Sequence, residues 1–236
     1  MTLLSISQSI SLRVLHQTIT SAAQSADPLV LQLVEAINEE GQELSSKYTW
    51  QSLTREATFS TLAAESQGNI LTIAGADFNF IINETIWNRS QRRPVFGPRS
   101  EAEWQQLKAQ QMQGPWNQWR LRGNQILFIP APAAGQSIYF EWMTKNWCTD
   151  TTGVTGKTAM TVDTDISIID ERLLTLGGLW RWKQMNKLDY AEDRTKYDEA
   201  VDDAMNRDGA KPILNMAGTY PDIFPSVLVP SGNWLA

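Results

Sequence analysis

Residues 119–146 read WRLRGNQILFIPAPAAGQSIYFEWMTKN. Trp119 to Arg122 and Gln125 to Ile129 flank Gly123-Asn124. That dipeptide accepts positive φ in a two-residue turn, so the stretch predicts a β-hairpin. Pro130 to Gly135 predicts a second turn. Beyond it Ile138, Phe140 and Trp142 alternate with Tyr139, Glu141 and Met143. An alternation of period two is that of a strand with one buried face. The middle of the chain is therefore β-structure, whereas both flanks carry a helical period.

On the N-terminal side, Ala57, Phe59 and Thr61 alternate with Thr58, Ser60 and Leu62, and Ile70, Thr72 and Ala74 continue as strand after a Gly-Asn break. Phe78 to Trp87 reads as a further β-rich run. One short helix interrupts: Ser100 is its N-cap, Glu103 closes a capping box, and Trp104, Leu107 and Met112 form its buried side. Before residue 49 the period changes. Leu3, Ile6, Ile10, Val14, Leu15 and Ile19 mark one helical face, and His16 falls inside that pattern. Asp27-Pro28 caps and starts a second helix. Val30, Leu31, Val34, Ile37, Gly41 and Leu44 form its inner face, with Glu35, Glu39, Glu40 and Glu43 read as a solvated outer face.

On the C-terminal side, residues 163–208 return to helix. Ile166, Ile169, Leu173, Leu176 and Trp180 step by three or four, and Gly177-Gly178 in that run predicts a close helix crossing or a kink. Asp189 caps the next helix with Glu192 three residues on; Tyr190, Tyr197, Val201, Ala204 and Met205 face inward, and Gly209 stops it. Residues 209–236 hold four prolines and are strongly apolar, which predicts an extended arm that either wraps its own domain or docks on another subunit or protein. The expected fold class is α+β. Residues 1–49 and 163–208 form a helical bundle, 50–162 an inserted small antiparallel β-domain with one short helix, and 209–236 the arm.

Composition excludes several classes of chemistry. The 236 residues include one Cys and one His, so one chain has no internal disulfide and no site needing two imidazoles. No run reaches the ~18 apolar residues of a membrane span. The N-terminus lacks a basic stretch before its apolar one, so a soluble intracellular product is expected. Gly153-Val154-Thr155-Gly156-Lys157-Thr158 suggests a phosphate loop, but Thr151 stands where its first glycine belongs. Asp163, Asp165, Asp170 and Glu171 lack the turn glycine of a calcium loop and read as helix N-terminal charge. Two Asn-x-Ser/Thr sequons, at Asn83 and Asn88, carry no meaning without secretion. No cofactor or metal is expected.

Charge is uneven within a net −6. Trp87 to Asn124 holds seven basic residues against Glu101 and Glu103, and Asp189 to Asp203 holds seven acids against Arg194 and Lys196. Such blocks are solvated faces or complementary halves of a repeated subunit contact. Arg92 and Arg93 from the first block, Asp202 and Asp203 from the second, and Phe224 and Trp234 from the tail are the candidate partner-binding residues. Basic residues beside Trp87, Trp104, Trp116 and Trp119 also suggest single-stranded nucleic acid, but core packing accounts for the rings and the net acidity opposes it.

Three segments carry a family resemblance. DPLVLQLVEAINEEGQELSSKYTWQSLTREATF, with Asn38, Glu39, Trp50 and Leu53, resembles the opening of tailed-bacteriophage head-to-tail adaptor proteins, in which a helix passes through a Trp-x-x-Leu step into the first strand. RLRGNQILFIPAPAAGQSIYFEW resembles their hairpin and Pro-rich turn. ERLLTLGGLWRWKQMNKLDYAEDRTKYDEAVDDAM resembles their closing helical pair. The resemblance covers roughly residues 1–208 in order and leaves the tail unmatched. It implies a structural virion protein, not an enzyme, made in the bacterial cytoplasm. Its subunits would form a ring, usually dodecameric, between portal and tail or nozzle protein at the head-tail junction. The ring would extend the DNA channel without sequence-specific binding and without a membrane. Two alternatives stand beside it: a tail-tube or nozzle ring of a short-tailed phage, and a tail-associated peptidoglycan hydrolase using Glu39, Glu43 and Glu56.

Overall fold

The computed structural model describes residues 2–110, 114 and 116–209. In chain order the elements are α1 (Leu3–Val14), α2 (Pro28–Lys47), a 3-10 turn (Gln51–Leu53), β1 (Thr54–Ser60), β2 (Ser66–Asn69), α3 (Ile70–Ile73), β3 (Phe78–Ile81), β4 (Trp87–Asn88), β5 (Arg93–Pro94), α4 (Glu101–Ala109), β6 (Gln118–Arg122), β7 (Gln125–Ile129), β8 (Ser137–Thr144), β9 (Cys148–Thr149), β10 (Gly156–Lys157), β11 (Ile166–Ser167), α5 (Glu171–Met185) and α6 (Ala191–Arg207). The fold mixes helices with small antiparallel sheets, as the α+β expectation has it. Met112, Phe224, Trp234 and the whole predicted arm lie outside the described residues.

The chain forms two compact units, separated after Thr54 and again before Met143. The first unit holds the helices α1, α2, α5 and α6 and the sheet β10-β9-β11. Residues 143–162, expected in the β-domain, belong to this unit. They carry the buried Trp147, just before β9, and Cys148 in it, and the Trp147 ring lies against Gly41 of α2. In this unit α5 packs on α1, α2 and α6. Gly177 and Gly178 make this possible. A Cβ on Gly177 would overlap the Glu40 side chain, and one on Gly178 would stand 3.0 Å from Ile10 and Ile37. The glycine pair is thus a close crossing, and its entropic cost of about 1 kcal/mol per residue is offset by tight contact.

The second unit, 55–142, holds two sheets. One has the order β1-β8-β4-β5 with β3 also on β8; the other is β2-β7-β6. The β6–β7 hairpin pairs Arg122 with Gln125 and Gln118 with Ile129, and Gly123 and Asn124 take φ 54° and 62° as the turn requires. Strand β7 is buried on both faces. Ile126 and Phe128 join a core with Phe78, Ile86, Trp119, Phe140 and Trp142, while Leu127 and Ile129 pack under Trp104 and Leu107 of α4. The capping box that starts α4 is present: Glu103 N donates to Ser100 Oγ, and Glu103 Oε2 accepts from Ser100 N at 2.9 Å.

Several local expectations change. Ile70 to Ala74 is helical rather than extended, because Asn69 caps Leu71 N at 2.9 Å and the apolar pair Ile70 and Ala74 also suits one helical turn. Phe78 to Trp87 breaks at Ile82, whose carbonyl accepts from the Thr85 hydroxyl at 2.7 Å. Helix α5 begins at Glu171, capped by Asp170, so Ile166 is a strand residue. Asp189 is one residue too early for the cap of α6, where Tyr190 stands, although its carboxylate still accepts from Ala191 N at 3.2 Å. His16 lies beyond α1, exposed and at φ 54°, because the helix ends at Val14. Leu31 of α2 is exposed and not part of the inner face.

Candidate functional site

Arg92 and Arg93 sit at the β4–β5 turn of the second unit. Asn88 Oδ1 accepts from Gln91 N at 3.0 Å, and Arg92 takes φ 55°, which turns the chain back into β5. Both side chains are exposed. The Arg93 guanidinium lies 5.3 Å from the Trp116 ring centre, and Trp116 meets Phe96 edge-on at 5.7 Å. Of the other basic residues in this block, four are matched inside the unit. Arg89 pairs with Glu56 and stacks 3.5 Å over Tyr139; Arg99 reaches Glu103 at 3.5 Å, Lys108 reaches Glu65 at 2.9 Å, and Arg120 pairs with Glu101. Arg92, Arg93 and Arg122 have no carboxylate within 4.0 Å among the described residues. The aromatic question divides: Trp104 and Trp119 are buried, Trp87 and Trp116 only partly.

Asp202 and Asp203 lie on the exposed side of α6 in the first unit. Asp203 stands 3.5 Å from Arg207 and lines a cleft of about 350 Å³. Trp50, Ile169, Leu173, Ala200 and Ala204 give that cleft its apolar part, and Asp170, Arg172, Arg207 and Asp208 its polar rim. Trp50 is fixed there by Nε1–H donation to the Leu44 carbonyl at 2.7 Å and by edge contact with Tyr48. Gln51 N donates to Asp208 Oδ2 at 2.9 Å, so the end of α6 is tied to the Trp-x-x-Leu step. Asp202 and Glu199 have no cation within 4.0 Å among the described residues.

The carboxylates weighed for hydrolysis are ion-paired. Glu39 and Glu43 flank Arg181 of α5, and Glu56 holds Arg89. Glu40 is fully buried, not part of the solvated face. It accepts from Arg181 Nε at 2.7 Å and from the Tyr197 hydroxyl. Burial pushes its carboxyl above the usual range, against the pull of Tyr197 and Arg181, and burial with the Glu40 bond raises the Tyr197 phenol. The group joins α2, α5 and α6 at Gly177.

The remaining charged motifs serve loops. Lys157 of the incomplete phosphate loop lies in strand β10, and its ammonium is 2.6 Å from Asp165. Asp165 also accepts from Thr161 N and Val162 N at 2.8 and 3.0 Å; burial opposes its charge, but these bonds hold its pKa below the ordinary value. Asp163 accepts from Ser21, Ala22 and Ala23 across the chain. Both therefore staple loops and do not charge a helix end, whereas Asp170 and Glu171 do. Cys148 is buried and its thiol is pushed up to about 12, mainly by desolvation, which leaves it without thiolate character at neutral pH. Among the described residues no three His, Cys, Asp or Glu side chains group to hold a metal, and no helix is long and apolar enough to cross a membrane. No family model and no curated protein matches the chain.

Proposed function

We propose that this protein is a structural virion component, a head-to-tail adaptor whose copies form a ring, dodecameric by the family habit, between portal and tail or nozzle protein. It would act at the head-tail junction after synthesis in the bacterial cytoplasm and extend the channel through which DNA passes. The finer architecture belongs to the same proposal: a bundle of the N- and C-terminal helix pairs, an inserted β-domain, and a C-terminal arm that meets a neighbour or the portal. One observation carries it. The three segments that resemble adaptors are each a continuous piece of the fold: α2 through Trp50 into β1, the β6–β7 hairpin with its following turn, and the α5–α6 pair. The opposed charge blocks support assembly from copies, since unlike surfaces on one chain favour repeated contacts.

Native mass spectrometry of the protein mixed with its portal tests this. A closed multiple of the chain bound to the portal is the expected result; a monomer that leaves the portal free overturns it. No turnover is part of the proposal, so ATP hydrolysis that disappears with Lys157→Ala, or clearing of peptidoglycan in a zymogram, also counts against it.

A further inference from the structure

We infer that the chain meets a second copy of itself head to tail. The patch Arg92, Arg93, Phe96 and Trp116 of one copy would seat on the outer face of α6 and the turn before it in the other. The inference rests on the ring-forming proposal above and names the surfaces it needs.

The first surface is apolar, basic and rigid. Phe96 is 41% exposed, unusual for so large a ring. Its backbone is held on both sides: its N–H donates to the Asn117 carbonyl at 3.0 Å, and its carbonyl accepts from Trp119 N at 2.9 Å. Gly97 follows at φ 150°, where a Cβ would lie 2.5 Å from the Trp119 carbonyl oxygen. Trp116 and Arg93 stack onward from Phe96. A groove of about 270 Å³ runs along Pro94, Phe96 and Pro98 and is lined also by Glu84 and Arg99, so one carboxylate stands beside the basic side chains. Aromatic and arginine side chains presented on a fixed backbone lose little entropy when covered, and such residues dominate binding.

The second surface offers the complement. Met185 is 42% and Leu188 49% exposed where α5 ends, so the turn into α6 shows apolar surface. Lys187 is the cation beside them. Along α6, Glu199 and Asp202 stand one turn apart, and with Asp189 they have no cation within 4.0 Å among the described residues. The charge of the two units has the matching asymmetry. Residues 55–142 carry eight basic and seven acidic side chains, net +1, and residues 1–54 with 143–209 carry eleven and eighteen, net −7. A second copy is therefore the occupant the chain itself supplies. The two surfaces differ, so the contact is heterologous, the kind that builds a ring when its rotation closes.

Two variants test the direction of the contact. One carries Arg92→Glu with Arg93→Glu; the other carries Leu188→Ser, Glu199→Gln and Asp202→Asn, neutral changes that do not complement the reversed arginines. All five positions are exposed, and far-ultraviolet circular dichroism checks that both fold. Each alone should lose self-association by tenfold or more in sedimentation velocity, with or without portal. Mixed one to one, they should form a heterodimer that grows no further, because one intact pair of surfaces remains. Phe96→Ala should weaken association without reversing charge. If both variants assemble like the natural protein, these surfaces are wrong while the ring stands. Failure of the mixture to pair shows that the two patches do not meet each other. If the natural chain makes no ring on the portal, ring and surfaces fall together.

Discussion

Glu40 shows how one residue holds three helices. A buried carboxylate is stable as a charge only with close partners, and removing one partner of a buried pair costs about 3–5 kcal/mol. In Arg181→Met, Glu40 keeps the Tyr197 hydroxyl but loses its cation. The sign of the pH effect follows from the raised pKa. The native state binds the Glu40 proton more tightly than the unfolded chain does, so its contribution is fullest below the unfolded value near 4.5. It is lost as pH rises through the folded value. The variant should therefore be destabilised by about 3 kcal/mol or more at pH 8 and by clearly less at pH 5, read from urea midpoints. Equal losses at both pH values would show that Glu40 is not the charge at stake. Asp165 has the opposite sign. Its pKa is lowered, so its staple is present above the ordinary 3.8 and fails as pH falls; Asp165→Asn should flatten the acid limb of the stability curve.

At the scale of elements, the glycines of the helical unit are not interchangeable with those of the turns. Gly41→Ala would push a Cβ into the Trp147 ring, which is fully buried and anchored by Nε1–H donation to the Thr158 carbonyl at 2.7 Å. The ring cannot give way, so about 1–3 kcal/mol or more is expected. Gly177→Ala meets the Glu40 side chain and should cost a similar amount, while also disturbing the Arg181 pair. Gly123→Ala has open space around it and suffers only from its positive φ, so a loss of about 1 kcal/mol is expected. Thermal unfolding of the three variants gives the order. These contrasts also explain what the sequence could reveal. Asp27-Pro28, the Ser100–Glu103 box and Gly123-Asn124 were legible because their partners lie within three residues or so. The start of α5 is not legible because Ile166 and Ile169 continue the helical spacing by coincidence, while the Asp165 staple that holds this loop draws on Lys157. Glu40 looked solvated because Arg181 and Tyr197 lie 141 and 157 residues away, a distance no local period reports.

At the scale of the whole molecule, two predictions concern assembly. Association driven by the opposed charge blocks should weaken with salt, because exposed charges are screened beyond about 8 Å at physiological ionic strength. Reversing Asp202 and Asp203 to Lys should imitate high salt. Portal binding that is indifferent to both would remove charge from the account. The tail gives the second prediction. Residues 210–236 carry one Lys, one Asp and four prolines, with Phe224 and Trp234 among the large apolar side chains. Each such side chain gains about 1.5–3 kcal/mol on burial, and prolines reduce the entropy lost when an extended segment binds. Among the described residues each unit has a buried core: Leu3, Ile10, Ile37 and Leu173 in one, Phe78, Phe128 and Phe140 in the other. Truncation after Gly209 should therefore leave the melting temperature of the monomer within a degree or two, yet weaken binding to the neighbouring copy or the portal at least tenfold. The truncated and full chains are compared by differential scanning calorimetry and by sedimentation with portal. A truncated chain that melts much lower but assembles normally would make the tail part of its own domain's packing and not an arm.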